Sequence, residues 1–162
     1  VITADFHDLP CTPCFHIAVA IEAFAHSHDP QRALEQAHAA LVPGGRLIIC
    51  DDVVVRASSN AAEEHRLKVF REGWRVPGVQ PLDKTIAAAR RAGFALRTTR
   101  DLTGALRLHR LPRLLAGAAR EGLRLVSGVH PFAQSISSSV ALQECLARGM
   151  IAYELIVFEK TT

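Results

Sequence analysis

The chain has 162 residues and a formal net charge of +3, with 49% apolar and 22% charged side chains, the balance of one core-forming domain and not of a disordered polymer. Only three of its 19 basic residues are lysines, a skew that reflects composition bias, so the mild positive charge implies no nucleic-acid partner. No apolar run reaches the roughly 18 residues of a membrane span and no basic stretch leads into an apolar one at the start, so neither a transmembrane segment nor a secretory signal is read, and a cytoplasmic location is expected.

Residues 1–6 form a strand-like run that is already under way at Val1, so a preceding segment is expected. Residues 16–21 are a second apolar run of strand length. Asp29-Pro30 then supplies a capping side chain followed by proline at the first helical position, and Ala33, Leu34, Ala37, Ala40 and Leu41 recur at helical spacing. Pro43-Gly44-Gly45 should stop that helix. Residues 46–50 run into Val53-Val54-Val55 as a nearly continuous apolar stretch, the pattern of a strand buried on both faces of a parallel sheet.

Asn60 with Glu63 three residues later predicts a helix over 60–74 with Leu67, Phe70 and Trp74 on its apolar face. Gly78 and Pro81 mark a turn before a helix over 82–92, which Gly93 ends. A strand is expected over 94–102. Residues 105–126 are amphipathic, leucine-rich and basic, interrupted by Pro112; a polar loop over 135–139, a helix over 140–148 and a last strand over 151–159 follow.

Several pieces, in order, carry a family likeness. They are Thr3-Ala4-Asp5-Phe6-His7-Asp8-Leu9-Pro10, Ala20-Ile21-Glu22-Ala23-Phe24-Ala25-His26, Leu41-Val42-Pro43-Gly44-Gly45-Arg46-Leu47, Arg91-Ala92-Gly93-Phe94 and the closing residues 149–160. In this order the sequence resembles class I S-adenosylmethionine-dependent methyltransferases of the small-molecule type, without that family's glycine-rich first loop. The resemblance implies an α/β, Rossmann-like methyltransferase fold truncated at its N-terminus. It implies a mostly parallel sheet with an antiparallel last strand and helices on both faces. The single partial domain then divides into a cofactor-side βαβ part (1–56), helices and sixth strand (57–104), a helical cover (105–139), and a last helix and strand (140–162).

The same resemblance implies S-adenosylmethionine as cofactor and a small-molecule methyl acceptor. It places Asp5 near the adenine amino group and Phe6 beside the ring, where a carboxylate can accept from an exocyclic amine and an aromatic face can stack. Ala20, Ile21 and Glu22 fall where a parallel sheet delivers its strand ends to the ligand crevice. His26 is the best-placed imidazole to take a proton from an acceptor. Asp51 and Asp52 at the end of the next strand, with Trp74, Leu111 and neighbouring leucines, are candidate acceptor walls.

Cys11-Thr12-Pro13-Cys14 resembles a dithiol redox motif, but that use needs a helix starting at the first cysteine, and a strand-like run follows instead. Zinc usually takes a second close pair, and Cys50 and Cys145 are isolated; thiols and no metal are expected. The alternative function is a non-catalytic interaction module, self-associating through an exposed sheet edge.

Overall fold

The computed structural model describes residues 3–106 and 131–161. Among these residues, four strands and four helices follow the order β1 (Phe15–Ile21), α1 (Pro30–Ala40), β2 (Leu41–Val54), α2 (Ala61–Trp74), α3 (Leu82–Arg91), β3 (Phe94–Asp101), α4 (Pro131–Ala147) and β4 (Ile151–Lys160).

Local chemistry sets several helix ends. The Asp29 carboxylate accepts from the Arg32 backbone N–H at 3.0 Å, with Pro30 behind it, to start α1. Asn60 accepts from the Glu63 N–H at 3.0 Å to start α2, and the Glu63 carboxylate returns to the N–H and hydroxyl of Ser59. Gly93 follows α3 at φ +92°, so the backbone favours glycine, and a Cβ there would lie 2.7 Å from His38 Nε2 and displace that ring. The carbonyls of His38 and Leu41 at the end of α1 accept from Lys160 Nζ, each at 2.8 Å.

The sheet order is β1-β2-β4-β3. β1 pairs parallel with β2, whereas β4 lies antiparallel between β2 and β3. The antiparallel last strand is as expected, but the sheet is mixed, not mostly parallel: insertion of β4 makes two of the three hydrogen-bonded pairs antiparallel. Helices lie on both faces. Leu47, Ile49 and Val53 of β2 pack with Leu34, Ala88, Ala89 and Phe94 on the α1 and α3 side. Val54 and Ile151 point the other way and join Leu67, Phe70, Ala141, Leu146 and Met150 from α2, α4 and the turn before β4.

Four local expectations change. Residues 3–8 form a turn, with the Asp8 N–H donating to the Asp5 carbonyl at 2.9 Å, and not a strand. Pro43-Gly44-Gly45 does not stop α1. The helix ends at Ala40, β2 begins at Leu41, and the triplet sits in an irregularity where pairing jumps from Phe15↔Leu41 to Ile17↔Arg46. β2 is buried along one face from Leu47 to Val53, and on the other Val54 is buried while Ile48 and Cys50 are only half-buried. Residues 135–139 belong to α4, which runs from Pro131; Ser138 is buried there, so packing against α2 outweighs the weak helix preference of a serine-rich run. The basic stretch over 107–126, with Leu111, lies outside the described residues.

Candidate functional site

The carboxyl ends of β1 and β2 open toward α2 and α4. β1 ends at Ile21; Glu22 then takes φ +48° while its N–H donates to the Cys50 carbonyl at 2.9 Å. That left-handed residue turns the chain off the sheet and into the short 3-10 turn Phe24–His26. Asp51 holds the turn in place. Its buried carboxylate accepts from the Ala25 N–H at 2.8 Å and from the Asp52 N–H at 3.0 Å, and burial raises its pKa. Gly78 braces the turn from outside through an N–H to the Ala25 carbonyl at 2.8 Å.

Between these strand ends and the helices lies a cavity of about 370 Å³. Glu22, Asp51, Asp52 and Tyr153 line its sheet side, with His26 from the turn. Phe70 and Trp74 of α2 and Leu142, Gln143 and Leu146 of α4 line the other. Five sequence candidates, Glu22, His26, Asp51, Asp52 and Trp74, therefore meet at one place. Tyr153 and Gln143 carried no sequence signal, because nothing local to β4 or α4 marks them as cavity residues.

The polar groups differ in how they are engaged. His26 Nδ1 lies 3.0 Å from the Arg75 carbonyl, which can only accept, so Nδ1 is the donor and in the neutral ring the lone pair lies on Nε2. Tyr153 donates its hydroxyl to Glu22 Oε1 at 3.3 Å, and burial, followed by the hydrogen bond with Cys50, raises its pKa. The phenol is a neutral donor at physiological pH. Asp52 is opposite Tyr153 across β2 and β4, and its carboxyl is pushed up to about 7, first by burial and then by the charges of Asp51 and Glu22.

The remaining cofactor candidates sit elsewhere. Phe6 and Ala20 line a second, apolar cavity of about 450 Å³ beside β1 and α1, with Phe15, Phe24 and Leu34. Ile21, on the edge strand, is exposed and lines neither cavity. Asp5 also lines neither. Its Oδ1 accepts from the His7 N–H at 2.9 Å and from His7 Nδ1 at 2.8 Å, and these bonds lower its pKa. His7 Nε2 in turn meets the Ser27 hydroxyl at 2.8 Å. This has the connectivity of a nucleophile triad, but Ser27 is 0% exposed, so no substrate reaches its oxygen and the chain acts as a tie between the loop and the turn.

Residues 1–49 match the sequence profile of a family described as a methyltransferase domain. Among solved structures, 98% of the chain superposes on a Galdieria sulphuraria protein described as a sarcosine dimethylglycine methyltransferase, with TM-score 0.68 and 16% identity over 58% of that chain. The fold is that of a class I methyltransferase. A geranyl diphosphate C-methyltransferase from Streptomyces coelicolor matches 99% of this chain with TM-score 0.68 at 14% identity, over 52% of its own length. A cyclopropane synthase from Mycobacterium tuberculosis matches 92% with TM-score 0.63 at 20% identity, over 56% of its length. The chain thus spans a little over half of each of these methyltransferase-fold proteins. No curated protein matches its sequence.

Proposed function

We propose that this chain supplies the acceptor pocket and part of the cofactor wall of an S-adenosylmethionine-dependent methyltransferase acting on a small molecule. The observation that carries the reading is the cavity at the carboxyl ends of β1 and β2, where His26 presents a lone pair beside Glu22, Asp52 and Trp74. Strand ends of an open α/β sheet are where such folds bind ligands, and the profile match over residues 1–49 ends inside β2.

The residues present suit the cofactor's parts. Phe6 offers a partly exposed ring beside Ala20 for a purine, and Glu22 offers a carboxylate toward polar or cationic groups. The cofactor, when bound, supplies an electrophilic methyl group on a sulfonium. The chain's own part is then to hold the acceptor in line, exclude water with Phe70, Leu142 and Leu146, and receive the acceptor's proton at His26 Nε2. Asp51 contributes by fixing the turn that carries His26.

The test is made on the full protein, with binding of S-adenosylhomocysteine followed by calorimetry and methyl transfer by radiolabel. His26→Ala should keep the cofactor affinity and lower turnover by about 100-fold or more. Absence of cofactor binding in the wild type overturns the reading; unchanged turnover in the variant removes His26 from the role.

A second reading has one observation in its favour. Ile17, Val19 and Ile21 on the edge strand β1 are 57 to 62% exposed, an apolar row suited to pairing with another polypeptide. It would make the chain an interaction module, whether or not the cavity is used.

A further inference from the structure

The chain as a whole is positive, yet the charged side chains of its 370 Å³ cavity are acidic. Glu22, Asp51 and Asp52 line it, and among the described residues no lysine or arginine does. The three carboxylates are not equivalent. Both Asp51 oxygens accept backbone N–H groups, and Glu22 accepts from Tyr153. Asp52, half-buried at the floor, receives no side-chain or backbone hydrogen bond from any described residue.

We infer that Asp52 selects an organic cation as the small molecule held in this cavity, a protonated amine on an apolar body. The geometry supplies both halves of such a ligand. Asp52 and Glu22 stand at the strand ends, while Trp74 offers an aromatic face and Phe70, Leu142 and Leu146 an apolar wall opposite. A desolvated carboxylate without a donor is costly to keep charged, and a ligand ammonium supplies the missing partner. An aromatic face adds cation–π attraction. A ligand anion would meet three carboxyl groups.

The raised Asp52 carboxyl gives the inference a pH signature. With ionisation near 7, Asp52 is mostly neutral at pH 6 and mostly charged at pH 8, so cation affinity rises about tenfold across that interval while an aliphatic amine stays protonated. The other titratable groups facing it are Asp51 and Glu22, Tyr153 from β4 and His26 from the turn; α2 and α4 contribute only uncharged side chains among the described residues. The Asp52→Asn variant tests whether Asp52 carries this pH dependence.

The inference rests on the methyl-transfer reading only in calling this ligand the acceptor. Trp74 is the single tryptophan of the sequence and lines the cavity, so its fluorescence reports occupancy. The full protein is titrated with phenethylamine, 2-phenylethanol and phenylacetate, which share a body and differ in charge. The amine should bind at least tenfold more tightly than the alcohol, and phenylacetate least. Asp52→Asn should erase the preference for the amine while leaving the affinity for the alcohol unchanged. The wild type alone tests the pH signature if the variant does not fold. Equal affinities, no response to any of the three, a flat pH profile or a preference that survives Asp52→Asn would overturn the inference. So would competitive displacement of the amine by S-adenosylhomocysteine, which would assign the cation subsite to the cofactor. Failure of S-adenosylhomocysteine to bind at all sinks the methyl-transfer reading and leaves the cation preference standing.

Discussion

At the scale of single residues, the site depends on a few backbone groups that no composition reveals. Gly78 is the clearest. A Cβ at this position would lie 2.8 to 2.9 Å from the carbonyl oxygens of Phe24, Ala25 and Ser27, and all three belong to the segment that carries His26. Backbone oxygens cannot swing aside as a flexible side chain can. Gly78→Ala should therefore cost about 1 to 3 kcal/mol in denaturant unfolding and shift the His26 resonances; a variant as stable as the parent would mean the turn is soft. The sequence marks Gly78 only as a turn residue, because its crowding comes from a segment some fifty positions earlier. Asp51 and Asp52 make the same point. As letters they are two equivalent strand-end acids, yet alternation along β2 and the nearby turn make one a backbone anchor and leave the other open to the cavity.

At the scale of elements, local signals placed helices better than they placed strand boundaries. α1 begins where Asp29-Pro30 indicates and α2 where Asn60 indicates, because capping depends on contacts within three residues. Asn60→Ala removes the acceptor for the Glu63 N–H at 3.0 Å and should lower stability by about 0.5 to 2 kcal/mol. Since α2 carries Phe70 and Trp74, the change should also loosen the cavity wall, read as faster amide exchange in the first turn of α2 with an unaltered β2. Protection equal to the parent's would show that the Glu63 contacts to Ser59 and Arg56 hold the end alone. Pro43-Gly44-Gly45 misled for the opposite reason. Proline and glycine signal a break, but whether the break is a loop or an irregularity within a paired strand depends on β1 lying alongside.

At the scale of the whole molecule, β1 is at the edge of the sheet formed by the described residues, and its exposed side chains Ile17, Val19 and Ile21 are apolar. Ile17 and Val19 share a sheet face with half-buried Ile48 and with Val157, which pairs with Ile48 across β4. Such a row is a template for strand pairing. These residues as an isolated chain should associate with rising concentration in light scattering, and Val19→Lys should suppress the association with little loss of melting temperature, since Val19 is 57% exposed. Association that persists in Val19→Lys would place the contact elsewhere.

The order of strands and helices was legible because it rests on periodicity and capping, which act over a few residues. Glu22, His26, Asp51 and Trp74 were legible as candidates because strand ends and helix ends are local features. The mixed sheet and the meeting of Glu22, Asp52 and Tyr153 were decided only by tertiary structure. Insertion of β4 beside β2 sets Tyr153 against Asp52 from a hundred positions away, and α4 then closes over both. Burial and charge at that meeting point give Asp52 its character, and these are properties of the packed molecule that no stretch of sequence holds by itself.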